Sequence, residues 1–405
     1  MMLSDPKSSQ AVESPGLISS EGTIASSSTV NSLRELMDLV SGRRVKSAEF
    51  QEDSGLAEQL PYPFLGIVDQ MEMKLSLLLS LINPQVSGVL LIGPRGTGKT
   101  TAVRSLLDIL PDVERSNCFF GCMPEDIEAG GMDAVCPDCA KKYSEGILLS
   151  KSDKVRLFEL PLNSKLDDVI GGIDERSIAS DRVRLKKGIL ALAHLNLLYV
   201  DEVNLLNDEI INAILDASSH GTYTVRRGPI TATYKAKFTL IGSMNPEEGS
   251  IRPQIMDRFG LRIIVHGLEK PEAREEAYKR VRIYKNNSRL LISQYAQEME
   301  WLRKDIITAR QYLPKIQLSS EIAQKGINII ENLKIDSLRA EITLFEAARA
   351  LAAADFRNEV TLHDIQTVAP MALRMRRSKF MAEFLNKSNQ EENEMHKTIQ
   401  KILFS

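Results

Sequence analysis

Gly93-Pro94-Arg95-Gly96-Thr97-Gly98-Lys99-Thr100 is an uninterrupted match to the pattern G-x-x-x-x-G-K-[S/T]. It follows the apolar run 89–92, which is typical of a buried parallel strand, and precedes a predicted helix over 100–110. In such a loop the glycines turn backbone N–H groups around phosphate oxygens, the lysine reaches the β- and γ-phosphates, and the threonine hydroxyl ligates Mg²⁺. The motif therefore predicts a MgATP site held by Gly93 to Thr101. A glycine-rich turn with a solvated Lys99 is the alternative, which the flanking strand and helix disfavour.

Two adjacent carboxylates end a second apolar run, Leu197–Val200. We expect Asp201 to bind Mg²⁺ through its water shell and Glu202 to polarise the attacking water as general base. Taken alone, Asp-Glu after a strand is as often the start of a helix. The phosphate loop upstream favours the catalytic interpretation.

Further polar residues follow the next predicted strand. Asn245, in Ser243-Met244-Asn245-Pro246, is predicted to hold the attacking water or to contact the γ-phosphate, because the carboxyl ends of parallel strands line the ligand crevice. A turn asparagine is the alternative. Three arginines, Arg252, Arg258 and Arg339, are candidates to stabilise charge on the transferred phosphoryl group, although surface arginines usually form solvated ion pairs.

The chain has only four cysteines, Cys118, Cys122, Cys136 and Cys139, in the pattern C-x₃-C-x₁₃-C-x₂-C. Two close pairs joined by a loop can close a tetrahedral Zn²⁺ site. Free thiols and a redox-active pair are the alternatives. We predict structural zinc, because all the cysteines lie together in one segment.

Strand and helix patterns alternate along the first two thirds of the chain, which predicts an α/β fold with a parallel sheet covered on both faces. The predicted strands are 89–92, 155–160, 197–200, 238–241 and 261–265. A hairpin is expected over 222–233. A charged helical segment over 271–284, with helical apolar spacing over 322–333 and 342–354, predicts an all-helical C-terminal domain.

These patterns divide the chain into four predicted parts. Residues 1–60 form a disordered, serine-rich tail, in which 31–40 could form a short amphipathic helix. Residues 61–266 form the nucleotide-binding core, with a cysteine-rich insertion over 115–153. A helical domain follows over 267–385, and 386–405 is a polar C-terminal tail.

Composition excludes several classes of protein. The chain has 405 residues, 43% hydrophobic and 26% charged, with a formal net charge of −3. This charge provides no overall attraction to nucleic acid. No apolar run approaches the ~20 residues that span a bilayer, and the N-terminus lacks the pattern of a secretory signal. We expect a cytoplasmic protein with no membrane span.

The chain resembles the ATPase (I) subunit of magnesium chelatase, within the helix-2-insert clade of the AAA+ ATPases, and is related to MoxR-type ATPases. The resemblance runs from about residue 63 to 378. It is most specific in Leu197–Asn207 (LLYVDEVNLLN), Asn245–Gly260 (NPEEGSIRPQIMDRFG) and Leu338–Ala352 (LRAEITLFEAARALA). It implies a P-loop AAA+ three-layer αβα core, followed by a helical domain.

The resemblance also assigns roles. Asn245 matches the first sensor, Arg258 the arginine finger that enters a neighbouring subunit's site, and Arg339 the second sensor. The family forms ring oligomers, commonly hexamers, with ATP bound between subunits. The chain departs from the family at Pro94, where an aspartate is expected, and at Met244, where a glycine is expected.

The leading functional hypothesis is a motor subunit. ATP hydrolysis would drive a partner complex, including a VWA-domain subunit and a large porphyrin-binding subunit, to insert Mg²⁺ into protoporphyrin IX, a ligase reaction of chlorophyll biosynthesis. The alternative is a MoxR-like chaperone ATPase that remodels a partner with a metal-binding adhesion-type (VWA) domain. A DNA-remodelling ATPase is a third hypothesis, based on Arg226 and Arg227 in the hairpin. Near-neutral charge disfavours it.

Overall fold

Five strands form a parallel sheet at the centre of the computed structural model, which describes residues 60–118, 121–173, 185–228 and 230–377. Numbered along the chain, they are β1 (Val89–Ile92), β4 (Leu157–Leu160), β7 (Leu197–Val200), β10 (Thr239–Met244) and β11 (Leu261–Ile264). Their order across the sheet is β11-β1-β10-β7-β4. The α/β prediction and its five strands are confirmed. Strand β4 begins later than predicted, because the Arg156 N–H bonds the Asn196 side chain instead of a neighbouring strand.

Both faces of the sheet are buried under apolar side chains. Along β1, Val89 and Leu91 belong to one apolar cluster, and Leu90 and Ile92 belong to another. This alternation follows from the two-residue period of a strand. Helices cover each face, which produces the three-layer αβα arrangement.

Helices precede, connect and follow these strands. Those around the sheet are α1 (Met71–Ile82), α2 (Lys99–Ser105), α5 (Leu166–Ile170), α6 (Ile189–Leu192), α7 (Asp208–His220) and α8 (Pro253–Met256). Those after β11 are α9 (Pro271–Asn286), α10 (Ser288–Tyr312), α11 (Ser320–Asn332), α12 (Leu338–Ala354) and α13 (Leu362–Leu373). The C-terminal part is helical, as predicted.

The observed helices differ from the sequence prediction in their bounds and in the individual helices assigned. Helix α2 was expected to reach residue 110 but ends at Ser105, where the chain tightens into a 3₁₀ turn over Leu106–Asp108. Helices α10 and α13 lie within the predicted all-helical domain, but the sequence analysis assigned no individual helix to either. Only four residues of α10 are buried, Leu291, Met299, Ile306 and Ala309, so most of that helix is polar and its apolar periodicity is weak.

Three antiparallel pairs lie outside the central sheet. They are β2 (Val113–Ser116) with β3 (Ser150–Asp153), β5 (Gly171–Ile173) with β6 (Leu185–Lys187), and β8 (Thr222–Arg227) with β9 (Ile230–Lys235). The last pair is the predicted hairpin. The first pair joins the two ends of the cysteine-rich insertion, which also contains α3 (Pro124–Gly130) and α4 (Pro137–Ser144).

Both predicted tails, including the helix expected over 31–40, lie outside the described residues, apart from Leu60. The four domain boundaries therefore stay predictions. Within the described part of the chain, none of the helices has the length and apolar character needed to cross a membrane. The cytoplasmic location stays a prediction.

Candidate nucleotide site

The register of the sheet brings three predicted site segments to one edge. Ile92 of β1 pairs with Met244 of β10, and Val200 of β7 pairs with Gly242 of β10. The residues that follow each strand therefore emerge side by side. The Gly93 N–H donates to the Met244 carbonyl at 3.1 Å, which ties the phosphate loop to the strand that carries Asn245.

Glycine is required in the phosphate loop for two different reasons. Gly96 and Gly98 have φ angles of +80° and +86°, which residues with a Cβ atom rarely adopt. Gly93 is required for space, since a Cβ there would lie 2.2 Å from the Val265 carbonyl oxygen. These constraints shape a loop whose backbone can approach an anion closely.

Lys99 begins α2 and is only 9% exposed. Its Nζ donates to the carbonyl oxygens of Gly93 (2.6 Å) and Pro94 (2.8 Å). Burial lowers the pKa of Lys99, while the nearby carboxylates of Asp201, Glu248 and Glu202 act in the opposite direction. The ammonium is thus held inside the loop, next to the position where phosphates would lie.

Asp201 is fixed by three hydroxyl groups. Tyr199 OH donates to Asp201 Oδ1 at 2.9 Å, Ser243 Oγ makes a short contact with the same oxygen, and Thr100 Oγ1 lies 3.5 Å from Asp201 Oδ2. Tyr199 OH also lies 3.1 Å from Thr100 Oγ1, and burial raises the pKa of Tyr199. The two predicted Mg²⁺ ligands, Thr100 and Asp201, are therefore adjacent and share a hydroxyl partner.

Sequence reasoning did not identify Tyr199 or Ser243 as members of the site. Both are almost fully buried. A signal was available, because each carries a hydroxyl on a mostly buried strand within two residues of a predicted site residue. A buried hydroxyl requires a hydrogen-bond partner, and here that partner is Asp201.

Glu202 has a left-handed backbone, with φ of +51°, at the turn after β7. Its Oε1 accepts from Arg95 Nη2 at 3.1 Å, and Arg95 Nε lies 2.5 Å from Glu248 Oε1. Asn245 Nδ2 donates to the same Glu248 oxygen at 2.9 Å. The hydrogen bond from Asn245, followed by those from Arg95, lowers the pKa of Glu248. Glu248 was also missed by sequence reasoning, and it connects the predicted first sensor to the loop.

One cavity of about 490 Å³ is lined by most of the predicted site residues. Its lining consists of Arg95, Gly96, Thr97, Gly98, Lys99, Thr100, Thr101, Asp201, Glu202, Ser243, Met244 and Asn245. A second cavity of about 500 Å³ shares the loop residues 96–98 and Thr101, and it is lined further by Ile67, Val68, Leu268 and Val281 among others. A polar cavity and a more apolar one therefore meet at the phosphate loop.

Among the described residues that line the polar cavity, none is one of the three candidate arginines. Arg258 pairs with Asp216 at 2.6 Å, Arg252 with Asp208 at 2.7 Å, and Arg339 lies 3.6 Å from Asp257. Each therefore has an acidic partner in its own chain. Their predicted roles toward phosphate stay predictions.

The four cysteine sulfurs do come together, with all Sγ atoms within 4.8 Å of one another. None forms a disulfide. The structure thus places them as one cluster, in the insertion closed by β2 and β3.

Comparison with known proteins adds independent evidence. A family model described as magnesium chelatase, subunit ChlI, matches residues 171–270, and an AAA lid domain model matches residues 327–397. The magnesium-chelatase subunit ChlI homolog of Methanocaldococcus jannaschii is 40% identical over 338 residues, which cover 82% of this chain and 91% of that protein. The magnesium-chelatase subunit ChlI of Nostoc sp. is 37% identical over 326 residues, 80% of this chain and 86% of that protein.

A solved structure of a candidate ATPase from Cytophaga hutchinsonii is also similar. It is 19% identical, has a TM-score of 0.50, and covers 79% of this chain and 87% of that chain. At this level of identity the similarity concerns the fold alone.

Proposed function

The chain belongs to the magnesium-chelatase ChlI family of AAA+ proteins, and from this we propose that it is an ATP-hydrolysing motor subunit. The observation that carries the proposal is the meeting of Lys99, Asp201, Glu202 and Asn245 around one cavity at the carboxyl edge of the sheet. A lysine for phosphate, a carboxylate for Mg²⁺ and a carboxylate for water are the groups that phosphoryl transfer to water requires.

Each group has a defined role in this proposal. Lys99 exchanges its contacts with loop carbonyls for the β- and γ-phosphates. Thr100 and Asp201 hold Mg²⁺, directly and through its water shell. Glu202 accepts the proton of the attacking water, and Asn245 positions that water. The backbone of residues 93–98 surrounds the phosphates, with Arg95 beside Glu202.

The more apolar neighbouring cavity is the proposed site of the adenine base. It shares the loop residues 96–98 with the polar cavity, so a nucleotide can extend from one to the other. Ile67, Val68 and Val281 supply apolar surface for a ring, which is the usual lining of such sites. The helical part of the chain contributes Val281, and on the family resemblance it contributes Arg339 as second sensor.

The test separates binding from hydrolysis. We expect Lys99→Ala to lose tight MgATP binding, because the phosphates lose their cationic partner. We expect Glu202→Gln to retain binding but to hydrolyse ATP about 10²- to 10⁴-fold more slowly, because it lacks the general base. Binding of a fluorescent ATP analogue and steady-state phosphate release measure the two steps.

The exposed Lys304→Ala, on α10, is the matched control and should behave as wild type. Hydrolysis by Glu202→Gln at the wild-type rate would remove Glu202 from the mechanism. Normal MgATP affinity in Lys99→Ala would remove the phosphate role of Lys99.

We further propose that the motor works as a homo-oligomeric ring, a hexamer by resemblance, on a VWA-domain partner. In the first form of this proposal, the ring drives a large porphyrin-binding subunit to insert Mg²⁺ into protoporphyrin IX. The cyanobacterial relative, named as a magnesium-chelatase subunit, supports this form.

The alternative is a MoxR-like chaperone that remodels a VWA-domain partner without a porphyrin. The Methanocaldococcus jannaschii relative is compatible with it, because that protein is named only as a homolog of the chelatase subunit. Affinity capture of the native protein, with identification of the co-purifying chains, distinguishes the two. A large porphyrin-binding subunit supports the chelatase, and a VWA-domain protein alone supports the chaperone.

A further inference from the structure

Among the described residues, the cysteine-rich insertion contains a compact group of potential metal ligands outside the nucleotide site. Cys118 Sγ lies 3.6 Å from Cys136 Sγ and 3.8 Å from Cys122 Sγ, and all four sulfurs lie within 4.8 Å. Four sulfurs at about 2.3 Å from a central Zn²⁺ would be separated by about 3.8 Å along each tetrahedral edge. The cluster therefore already has the dimensions of such a site.

The local backbone explains how the sulfurs meet. Gly121 has a φ angle of +77°, and its N–H donates to the Cys118 carbonyl, which holds the Cys122 segment close to Cys118. The second pair starts α4, where Cys136 is the N-cap and Cys139 lies in the first turn. The Cys136 N–H donates to Cys122 Sγ at 3.4 Å, a hydrogen bond of the kind that stabilises sulfur ligands of a metal.

We propose that Cys118, Cys122, Cys136 and Cys139 bind one structural Zn²⁺ ion. The four thiolates fill a tetrahedral coordination shell and leave no position for a substrate. The centre is thus distinct from the Mg²⁺ proposed at Thr100 and Asp201. Its role is to stabilise the insertion rather than to take part in hydrolysis.

The packing around the cysteines favours a stabilising role for a metal there. Among the residues that the structure describes, the buried members of the insertion's own core are Cys122, Ile127, Cys139 and Leu149. Half of these described members are proposed ligands. Binding of the metal by these core residues would therefore contribute folding free energy to this segment.

The zinc centre also positions a contact with the rest of the molecule. Asp126, in the first turn of α3, accepts from the Met123 N–H next to Cys122. The same carboxylate accepts two hydrogen bonds of 2.8 Å from Lys235 Nζ on β9. Loss of the metal should therefore free the β8–β9 hairpin from the insertion.

The first test is metal analysis of full-length protein purified without a metal-affinity tag. We expect about one zinc per chain, and Co²⁺ substituted for it should show the absorption bands of tetrahedral sulfur ligation. Four reactive thiols with no metal in freshly purified protein would overturn the proposal. So would the visible spectrum of an iron–sulfur cluster.

The second test uses variants. Cys136→Ser with Cys139→Ser should lose the zinc, whereas Ser144→Ala on the same helix should retain it. If the double variant does not fold, the stoichiometry and the Co²⁺ spectrum of the wild type still decide the question.

Hydrogen exchange tests the connection to the hairpin. Zinc removal by a chelator should increase exchange over 121–153 and 230–235, while β1 and β10 remain protected. Asp126→Asn should retain zinc and increase exchange over 230–235 alone. Unchanged exchange over 230–235 in both experiments would refute the connection between the zinc centre and the hairpin.

Discussion

Arg95 connects two carboxylates at the edge of the nucleotide cavity. It contacts Glu202 and Glu248, and its side chain is 71% exposed. Solvent screens exposed ion pairs, so these contacts contribute little to stability. Their consequence is positional, because Arg95 contacts Oε1 of Glu202, the proposed general base. Arg95 stands at a variable position of the phosphate-loop motif, so the motif alone does not predict this contact with the proposed general base.

His194 is a half-buried side chain whose charge state should affect stability. Its Nδ1 accepts from the Lys237 N–H at 3.2 Å, which requires that nitrogen to be unprotonated. Burial, followed by the positive charges of Lys235, Lys237 and Arg115, lowers the pKa of His194 from 6.5 to about 4. The folded protein therefore holds this imidazole neutral, whereas the unfolded chain protonates it near pH 6.5.

We predict that His194 contributes to acid sensitivity. The unfolded state binds the proton more tightly, so stability is complete above about pH 6.5 and decreases as the pH falls toward about 4. In His194→Asn, the Oδ1 atom can accept the same hydrogen bond without titrating. Urea unfolding at several pH values should show a shallower loss of stability between pH 6.5 and 4 for this variant than for the wild type.

The control is Ser219→Asn, an exposed substitution on α7 that changes no titratable group and should leave the pH dependence unchanged. Parallel pH profiles for His194→Asn and wild type would contradict the assignment.

The contacts at Asp257 join several elements that are separate in the chain. Asp257 follows α8 and accepts from Arg376 Nη1 at 2.7 Å, after α13, and from Arg262 Nη2 at 3.4 Å on β11. Ser337, before α12, also donates to it at 3.2 Å. The side chains of Arg262 and Arg376 are 1% and 0% exposed, and burial lowers the pKa of Arg262 to about 10.

We predict that Asp257→Asn destabilises the fold by about 3 kcal/mol, because two buried guanidinium groups lose their counter-charge. Remaining hydrogen bonds to backbone carbonyls compensate only in part. Denaturant unfolding measures the change. The control is Glu275→Gln, which removes an exposed ion pair with Lys279 and should match the wild type within error. A wild-type unfolding midpoint for Asp257→Asn would show that Asp257 does not stabilise these elements.

In the whole molecule, Arg258 is the residue whose proposed role needs a second copy of the chain. It follows Asp257 but pairs with Asp216 on α7 and does not line the polar cavity of its own chain within the described residues. An arginine that acts on phosphate must therefore either move or reach the site of a neighbouring subunit. The family resemblance favours the neighbour.

We predict that ATP sites are shared between subunits. Arg258→Ala and Glu202→Gln should each be inactive alone, and mixed oligomers of the two should regain part of the hydrolysis rate. The reason is that an intact Glu202 from one subunit can then meet an intact Arg258 from the next. Phosphate release from verified mixed oligomers measures the rescue.

The matched control mixes Arg258→Ala with the double variant Glu202→Gln/Arg258→Ala, which supplies no intact arginine. That mixture should remain inactive. Equal activity in the two mixtures would exclude action of Arg258 between subunits.

Much of the fold and of the candidate site could be predicted from residues that are close together in the sequence. The loop from Gly93 to Thr100 and the carboxylates Asp201 and Glu202 were found because their chemistry depends on residues that are adjacent in sequence. The five strands were found for a related reason, since strands buried on both faces are short apolar runs bounded by turns. Helix α10 was missed because it buries only a narrow face and its remaining residues resemble a solvated segment.

Other features arise from contacts between residues far apart in the chain. Tyr199 and Ser243 become partners of Asp201 only because β7 and β10 are neighbours in the sheet. Asp257 likewise acquires Arg376 from a segment more than a hundred residues later. No local pattern encodes such pairs, because they depend on the strand order and on where the helices dock.

The four cysteines illustrate both what the local sequence determines and what long-range contacts determine. Their spacing was sufficient to predict a metal site, since sulfur ligands in close pairs are a local property of the chain. That the four sulfurs converge within 4.8 Å, and that Asp126 then meets Lys235 on a distant hairpin, follows from the closing of the insertion by β2 and β3. Adjacent residues determine which chemistry is available, and long-range packing determines which groups meet, because a folded chain gains its stability from contacts that span the sequence.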